Sequence, residues 1–209
     1  FPILTISPAA FCFPVFTQRK EFHSLIPNNH ESTDGKILIQ MKDKPLQDII
    51  DRKRKLEKEL VSRGATVYLT REDDKDLSTT TVNRKRSDLY NRAKYINKIS
   101  PNMYISIHLN SVTNSSWRGL QVFYTTKSEE NKLIAETITN HLRKNMSNVR
   151  EIKKDNTYYM YKHITSPGVL IEAGFISNSN DSYLLRNKEY QDKLISSISD
   201  SIKIYFQKK

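Results

Sequence analysis

Met103-Tyr-Ile-Ser-Ile-His-Leu-Asn110 is the stretch from which the fold of the chain is first predicted. The run is mostly apolar or aromatic, with Pro101-Asn102 before it and Ser111 after it. Such a run predicts a buried strand in a sheet that is covered on both faces. Side chains alternate along a strand, so His108 and Asn110 point to the same side. They lie near the carboxyl end, where open α/β sheets bind their ligands.

A second apolar run carries a carboxylate. Gly168-Val-Leu-Ile-Glu-Ala-Gly-Phe175 predicts another buried strand, with Glu172 near its end. A lone histidine in a strand is more often a hydrogen-bonded core residue than a metal ligand. A carboxylate in an apolar run, however, needs a partner or a function. The two runs together therefore favour a functional site at this edge of the sheet.

Strands and helices alternate along the rest of the chain. Apolar residues at helical spacing predict helices from Leu46 to a stop at Gly64, and over 83–97, 129–146 and 189–206. Apolar runs predict further strands over 36–41, 65–70 and 119–125, a short helix or strand at 158–161, and a loop at 177–180. This order predicts an α/β fold with a mostly parallel, mixed sheet of about five or six strands and helices on both faces.

Length and charge limit the possible functions. The 209 residues predict one folded unit over 36–209, and a poorly defined N-terminal segment over 1–35. A net charge of +11 favours anionic partners, including nucleic acid, anionic membrane and acidic wall polymers. The basic runs 52–55 and 84–86 are typical of solvated helix faces and, without interleaved aromatics, are weak evidence for nucleic-acid binding. The single Cys12 excludes an intramolecular disulfide.

No apolar run reaches the length of a membrane helix, about 18 residues. Residues 1–16 carry no charge but are interrupted by Pro2, Pro8 and Pro14. They are compatible with the remnant of a secretory signal or with a poorly ordered arm.

Two motifs some sixty residues apart carry a specific resemblance. Ser106-Ile-His-Leu-Asn110, followed by Val169-Leu-Ile-Glu-Ala-Gly-Phe-Ile-Ser-Asn178, resembles the zinc-dependent N-acetylmuramoyl-L-alanine amidases, especially those of the bacterial spore cortex. Thr70-Arg-Glu-Asp73 and Trp117-Arg-Gly119 agree with that resemblance, which extends over about residues 46–206.

The resemblance implies a site and a reaction. Two histidines and one glutamate hold Zn²⁺ and leave a position for water, whose pKa the metal lowers to about 7. A second glutamate moves the proton from that water to the leaving amine. By resemblance His108 is a zinc ligand and Glu172 is the catalytic acid–base residue. Asn110 and Arg92 match positions close to the site, where substrate binding and a structural role are both open.

The N-terminal part departs from the family. The family's first ligand is a glycine-flanked histidine, for which His30 is the best candidate here because Asp34 follows it four residues later. Its neighbours, Asn29 and Glu31, are not glycines. Aligned on Leu46, the position of the ligand glutamate falls on Met41, and a thioether is a poor zinc ligand.

These patterns predict a peptidoglycan amidase that uses zinc outside the cytoplasmic membrane, in the cell wall or spore cortex of a spore-forming bacterium. Its partners are peptidoglycan and a protein that completes the zinc site. An impaired, wall-binding or regulatory relative is the alternative because of Met41, and a nucleic-acid binder is a distant third.

Overall fold

The computed structural model describes residues 12–13, 36–42, 46–70 and 76–208. Its strands are β1 (Cys12–Phe13), β2 (Lys36–Lys42), β3 (Thr66–Leu69), β4 (Met103–Asn110), β5 (Gln121–Tyr124), β6 (Lys153–Lys154) and β7 (Gly168–Phe175). Its helices are α1 (Leu46–Ser62), α2 (Arg84–Ile99), α3 (Glu129–Asn145), α4 (Tyr159–His163), α5 (Ser179–Arg186) and α6 (Lys188–Gln207).

All of these strands form one mixed sheet. The order along it is β2, β4, β7, β5, β6, with β3 and the two-residue β1 both on the outer side of β2. Strands β2, β3, β4 and β7 are mutually parallel, whereas β5 runs antiparallel to β7. The carboxyl ends of β4 and β7, which carry the two motifs, therefore meet at the same edge of the sheet.

The sheet separates two hydrophobic cores. On one face of the sheet, Ile105 and Ile171 point into the larger core, which α1, α3 and α6 cover. On the other face, Tyr104 and Leu170 point into a smaller core, which α2 and α4 cover. Side chains alternate between the two faces along a strand. His108 and Glu172 therefore lie on the same face of the sheet as the smaller core.

Local signals account for the helix ends. Gly64 adopts a positive φ of 90° just after α1 and ends that helix, as its position in the sequence predicts. The Ser128 side chain accepts a hydrogen bond from the Glu130 N–H and caps α3. Acidic residues in the first turn of α3 and basic residues in its last turn complement the helix dipole.

The predicted fold class is confirmed. The sheet has two short strands more than the sequence predicted, β1 and β6. Of the predicted loop at 177–180, residues 177–178 form a turn, whereas residues 179–180 begin α5, where Asn178 caps the helix by accepting a hydrogen bond from the Asp181 N–H. Within the described ranges, no helix is long and apolar enough to cross a membrane.

Candidate active site

His108 and Glu172 are direct neighbours on adjacent strands. The parallel pairing of β4 with β7 aligns His108 with Glu172, and the antiparallel pairing of β5 with β7 aligns Glu172 with Gln121. On the other side, Lys42 of β2 is aligned with His108. Neighbouring strands lie about 4.8 Å apart, so the imidazole and the carboxylate project side by side from the same face.

The surroundings of His108 orient its ring. The residue is only 5% exposed, and its Nε2 lies 2.7 Å from the hydroxyl of Ser106, two residues earlier on the same face. A hydrogen bond at one ring nitrogen selects the tautomer and so determines the role of the other. Ligand histidines commonly have such a supporting partner, and the Ser106 hydroxyl can act as one.

Tyrosines form the wall of the site. The ring of Tyr158 meets the His108 ring edge-on at 5.9 Å and packs against Tyr161 at 5.2 Å. Tyr161 is buried and donates its hydroxyl to the Phe123 carbonyl oxygen at 3.2 Å. Burial raises the pKa of Tyr161 and of Tyr104 well above the ordinary tyrosine value. The Tyr161 and Tyr104 hydroxyls are therefore uncharged at neutral pH.

A buried aspartate fastens the loop after β4 to the end of β7. Asp181 Oδ2 accepts hydrogen bonds from the Gly119 N–H at 2.7 Å and the Phe175 N–H at 2.9 Å. Gly119 has a φ of 98°, and a Cβ there would lie 2.2 Å from the Asn148 carbonyl oxygen. Only glycine fits this approach. The Trp117-Arg-Gly119 motif is thus held at the edge of the sheet where His108 and Glu172 lie.

Replacing Asp181 by alanine should destabilise the protein by about 1–3 kcal/mol, because it leaves two buried N–H groups without their acceptor. Chemical denaturation of Asp181→Ala measures this loss. The matched control is Asp192→Ala, which changes a half-exposed aspartate on α6 and should lie within about 0.5 kcal/mol of wild type. Equal stability of the two variants would contradict the role of Asp181.

The contacts of Arg92 support a structural role. Its guanidinium is fully buried and donates to both carboxylate oxygens of Asp88, at 2.8 and 2.7 Å. Asp88 also accepts the Leu77 N–H at 2.8 Å, which ties the segment before α2 to that helix. Of the two roles that the sequence left open, these contacts support the structural one, although substrate binding by Arg92 stays a prediction.

Asn110 lies at the edge of the site. The pairing of β4 with β7 shifts between His108 and Asn110, so that Asn110 is aligned with Phe175. Its carbonyl oxygen accepts the Ile176 N–H at 2.8 Å, and the residue is partly exposed. Substrate binding by Asn110 remains a prediction that this position permits.

The N-terminal candidates have different outcomes. His30 lies outside the described residues, so its role as a ligand stays a prediction. Met41 lies on β2, but its partner on β4 is Ile107, whereas Lys42 is the partner of His108. The spacing from Leu46 predicted that Met41 occupies the position of the missing ligand. That interpretation of Met41 stays a prediction.

The described part of the chain fits zinc only in part. His108, its partner Ser106 and the neighbouring Glu172 suit a metal site, but no group of three or more His, Cys, Asp or Glu residues occurs within the described ranges. A tetrahedral catalytic zinc normally has three protein ligands. Further donors for the metal would come from outside the described ranges.

Comparison with known proteins decides the family. The family model for N-acetylmuramoyl-L-alanine amidases of the Amidase_3 type matches residues 34–204. The chain belongs to this amidase family. The resemblance inferred from the motifs around His108 and Glu172 is thereby confirmed. The family is generally zinc-dependent.

The chain is similar to amidases of Bacillus subtilis and Staphylococcus aureus. The chain is 42% identical over 155 residues to the germination-specific N-acetylmuramoyl-L-alanine amidase of Bacillus subtilis, covering 72% of this chain and 65% of that protein. It is 29% identical over 175 residues to the probable cell wall amidase LytH of Staphylococcus aureus, covering 84% of this chain and 53% of that protein. The chain thus spans less than two thirds of the length of either relative.

Solved amidase structures share the fold. The CwlD amidase from Clostridioides difficile, determined in complex with the GerS lipoprotein, superposes with a TM-score of 0.75 at 30% identity and covers 84% of this chain and all of that one. The catalytic domain of CwlV from Bacillus (Paenibacillus) polymyxa superposes with a TM-score of 0.69 at 22% identity, covering 83% of this chain and 99% of that one.

Proposed function

We propose that this protein hydrolyses the amide between N-acetylmuramic acid and L-alanine in peptidoglycan. The observation that carries the proposal is the pairing of His108 with Glu172 on neighbouring strands, on one face and at the carboxyl edge of the sheet. Membership of the amidase family supports it.

In this proposal Glu172 is the catalytic acid–base residue. Its carboxylate takes a proton from the attacking water and returns it to the nitrogen of L-alanine as the C–N bond breaks. The Tyr158 ring packs against the His108 ring, so an aromatic surface borders the strand partner of this carboxylate. Asn110 lies where it can contact the substrate at the edge.

We further propose that His108 contributes to a zinc site, with His30 as the candidate second ligand. Zinc at this position would supply a Lewis acid for the amide carbonyl and lower the pKa of bound water. The incomplete donor set supports the additional proposal that a partner protein completes or stabilises the site. A structural relative, the CwlD amidase, has been determined together with a lipoprotein.

The proposed place of action is outside the cytoplasmic membrane, in the wall or spore cortex of a spore-forming bacterium. The similarity to a germination-specific amidase supports the cortex. The net charge of +11 suits an anionic wall polymer. Nucleic-acid binding has only this charge in its favour, and we do not propose it.

Mass spectrometry of peptidoglycan digested with the purified protein tests the proposed function. We expect released peptides that begin with a free L-alanine amino group and carry no muramic acid. Undigested peptidoglycan incubated without the protein is the control. Products cut inside the peptide or between sugars would show that a different bond is hydrolysed.

An impaired, wall-binding relative is the second candidate. The observation in its favour is the shortage of metal donors within the described ranges. Such a protein would sediment with insoluble peptidoglycan but release no peptides. The same digestion, combined with a sedimentation assay, separates the two candidates.

A further inference from the structure

A basic cavity lies next to the candidate site, on the same face of the sheet. Its volume is about 380 Å³. It is lined by the start of α2 and by α4, through Asn83, Arg84, Lys85, Arg86, Leu89 and Tyr159. Three consecutive basic residues therefore meet an aromatic ring from another helix. The sequence suggested only a solvated helix face for 84–86, because Tyr159 is more than seventy residues away along the chain.

Among the described residues, a carboxylate compensates the charge of only one of the three cations. Arg84 Nε lies 2.6 Å from Asp76 Oδ2. Partial burial alone would raise the pKa of Asp76, but hydrogen bonds from Ser78 and the nearby Arg84 outweigh it and keep that pKa below its ordinary value. Asp76 is thus ionised at neutral pH and compensates Arg84. Within the part of the chain that the structure describes, no carboxylate forms an ion pair with Lys85 or Arg86.

The aromatic ring contacts one of these cations. The Arg86 guanidinium lies 5.9 Å from the centre of the Tyr159 ring, a cation–π contact. The Tyr159 ring also packs on the His163 ring at 4.4 Å. Arg86 is exposed, so its guanidinium is accessible to a carboxylate, with which it can form two parallel hydrogen bonds.

The cavity is connected to His108 by consecutive residues. Tyr158 contacts the His108 ring, and Tyr159, the next residue, lines the cavity. An extended peptide advances about 3.3–3.6 Å per residue. A peptide of three or four residues whose scissile amide lies at His108 and Glu172 would extend about 10–14 Å from it.

The chemistry of the substrate places its negative charge on the correct side. The carboxyl group of muramic acid is the acyl half of the scissile amide and so carries no charge. The remaining anionic groups lie on the peptide that follows L-alanine, which ends in a carboxylate. A basic subsite on the peptide side of the scissile bond would select for this charge.

We propose that the cavity formed by Lys85, Arg86 and Tyr159 binds a carboxylate of the substrate peptide and so positions the scissile amide at Glu172. This inference rests on the proposed function, because it assigns the peptide half of that substrate. Lys85 and Arg86 are positioning residues and do not touch the reacting atoms.

The test compares one muramoyl tetrapeptide in two forms, one with free peptide carboxylates and one with those carboxylates amidated. Calorimetry on the Glu172→Gln variant measures binding without turnover. We expect the acid to bind about tenfold more tightly than the amide, a difference of about 1.4 kcal/mol. This preference should weaken as salt is raised. Lys85→Ala and Arg86→Ala should each remove most of the preference.

Two further variants sharpen the result. Lys144→Ala removes an exposed lysine at the end of α3, in the last turn of that helix, and should keep the full preference for the acid. Arg86→Lys retains the charge and should keep part of the preference. In turnover assays Arg86→Ala should raise KM several-fold with little change in kcat. Circular dichroism verifies that each variant is folded.

Equal binding of acid and amide by the parent protein would overturn the inference, as would an unchanged preference in the double variant Lys85→Ala/Arg86→Ala. These outcomes are distinct from failure of the proposed function. A protein that cleaves peptidoglycan without any carboxylate preference contradicts the cavity alone. A protein that shows the preference but releases no peptide supports the cavity and contradicts the proposed activity.

Discussion

Glu172→Gln should lower the rate of peptide release from peptidoglycan by about 10²–10⁴-fold, the usual loss when a general acid–base residue is removed. Glutamine has almost the same shape as glutamate but cannot accept the proton of the attacking water. Glu172 also lies in a row of strand partners, so an isosteric change preserves its packing. The rate should therefore fall with the fold intact, as measured by product release in parallel with thermal unfolding.

Glu189→Gln is the matched control for this variant. It makes the same change at an exposed position in the first turn of α6, away from the candidate site. Its rate should equal that of wild type. If Glu172→Gln were as active as Glu189→Gln, Glu172 would have no part in the reaction and His108 would have to act with a different group.

Sequence patterns predicted those parts of the site that depend on the alternation of side chains along a single strand. His108 and Glu172 each sit two or more residues inside an apolar run with clear ends, and period-two alternation places them on a defined face. That they are direct register partners depends on β4 and β7 being neighbours. The resemblance to the amidases carried that information, whereas periodicity alone did not.

The features that sequence patterns missed depend on contacts between distant residues. The start of α5 was detectable, because Asn178 followed three residues later by an acidic residue is a helix-capping pattern. The function of Asp181 was not, since one of its two backbone partners, Gly119, is 62 residues away. The antiparallel direction of β5 also follows from the tertiary path, because a run of four residues has the same pattern in either direction.

The register of β2 changes the interpretation of the N-terminal departure. Alignment on Leu46 counts residues along the chain and arrives at Met41. The parallel pairing of β2 with β4 aligns Lys42 with His108. Lysine, unlike glutamate, is not a carboxylate donor for zinc. Neither position 41 nor position 42 carries the carboxylate that the resemblance implies.

Zinc content should accordingly be well below one ion per chain in the purified wild-type protein. With His108 and His30 as the proposed ligands, a site short of one donor loses much of its binding free energy. His108→Ala should reduce the zinc content to background. Lys42→Glu replaces a cation by a carboxylate level with His108 and should raise the content towards one. Metal analysis after dialysis against dilute zinc measures all three proteins.

Met41→Glu is the matched variant, because it introduces the same carboxylate one residue away. The register places position 41 level with Ile107, whose side chain belongs to the larger core on the opposite face, so this variant should leave zinc content unchanged. A rise in Met41→Glu alone would show that the spacing from Leu46 determines the ligand position. Full occupancy of the wild type would mean that another residue already supplies the third donor. In that case the amidase needs no partner to complete its metal site.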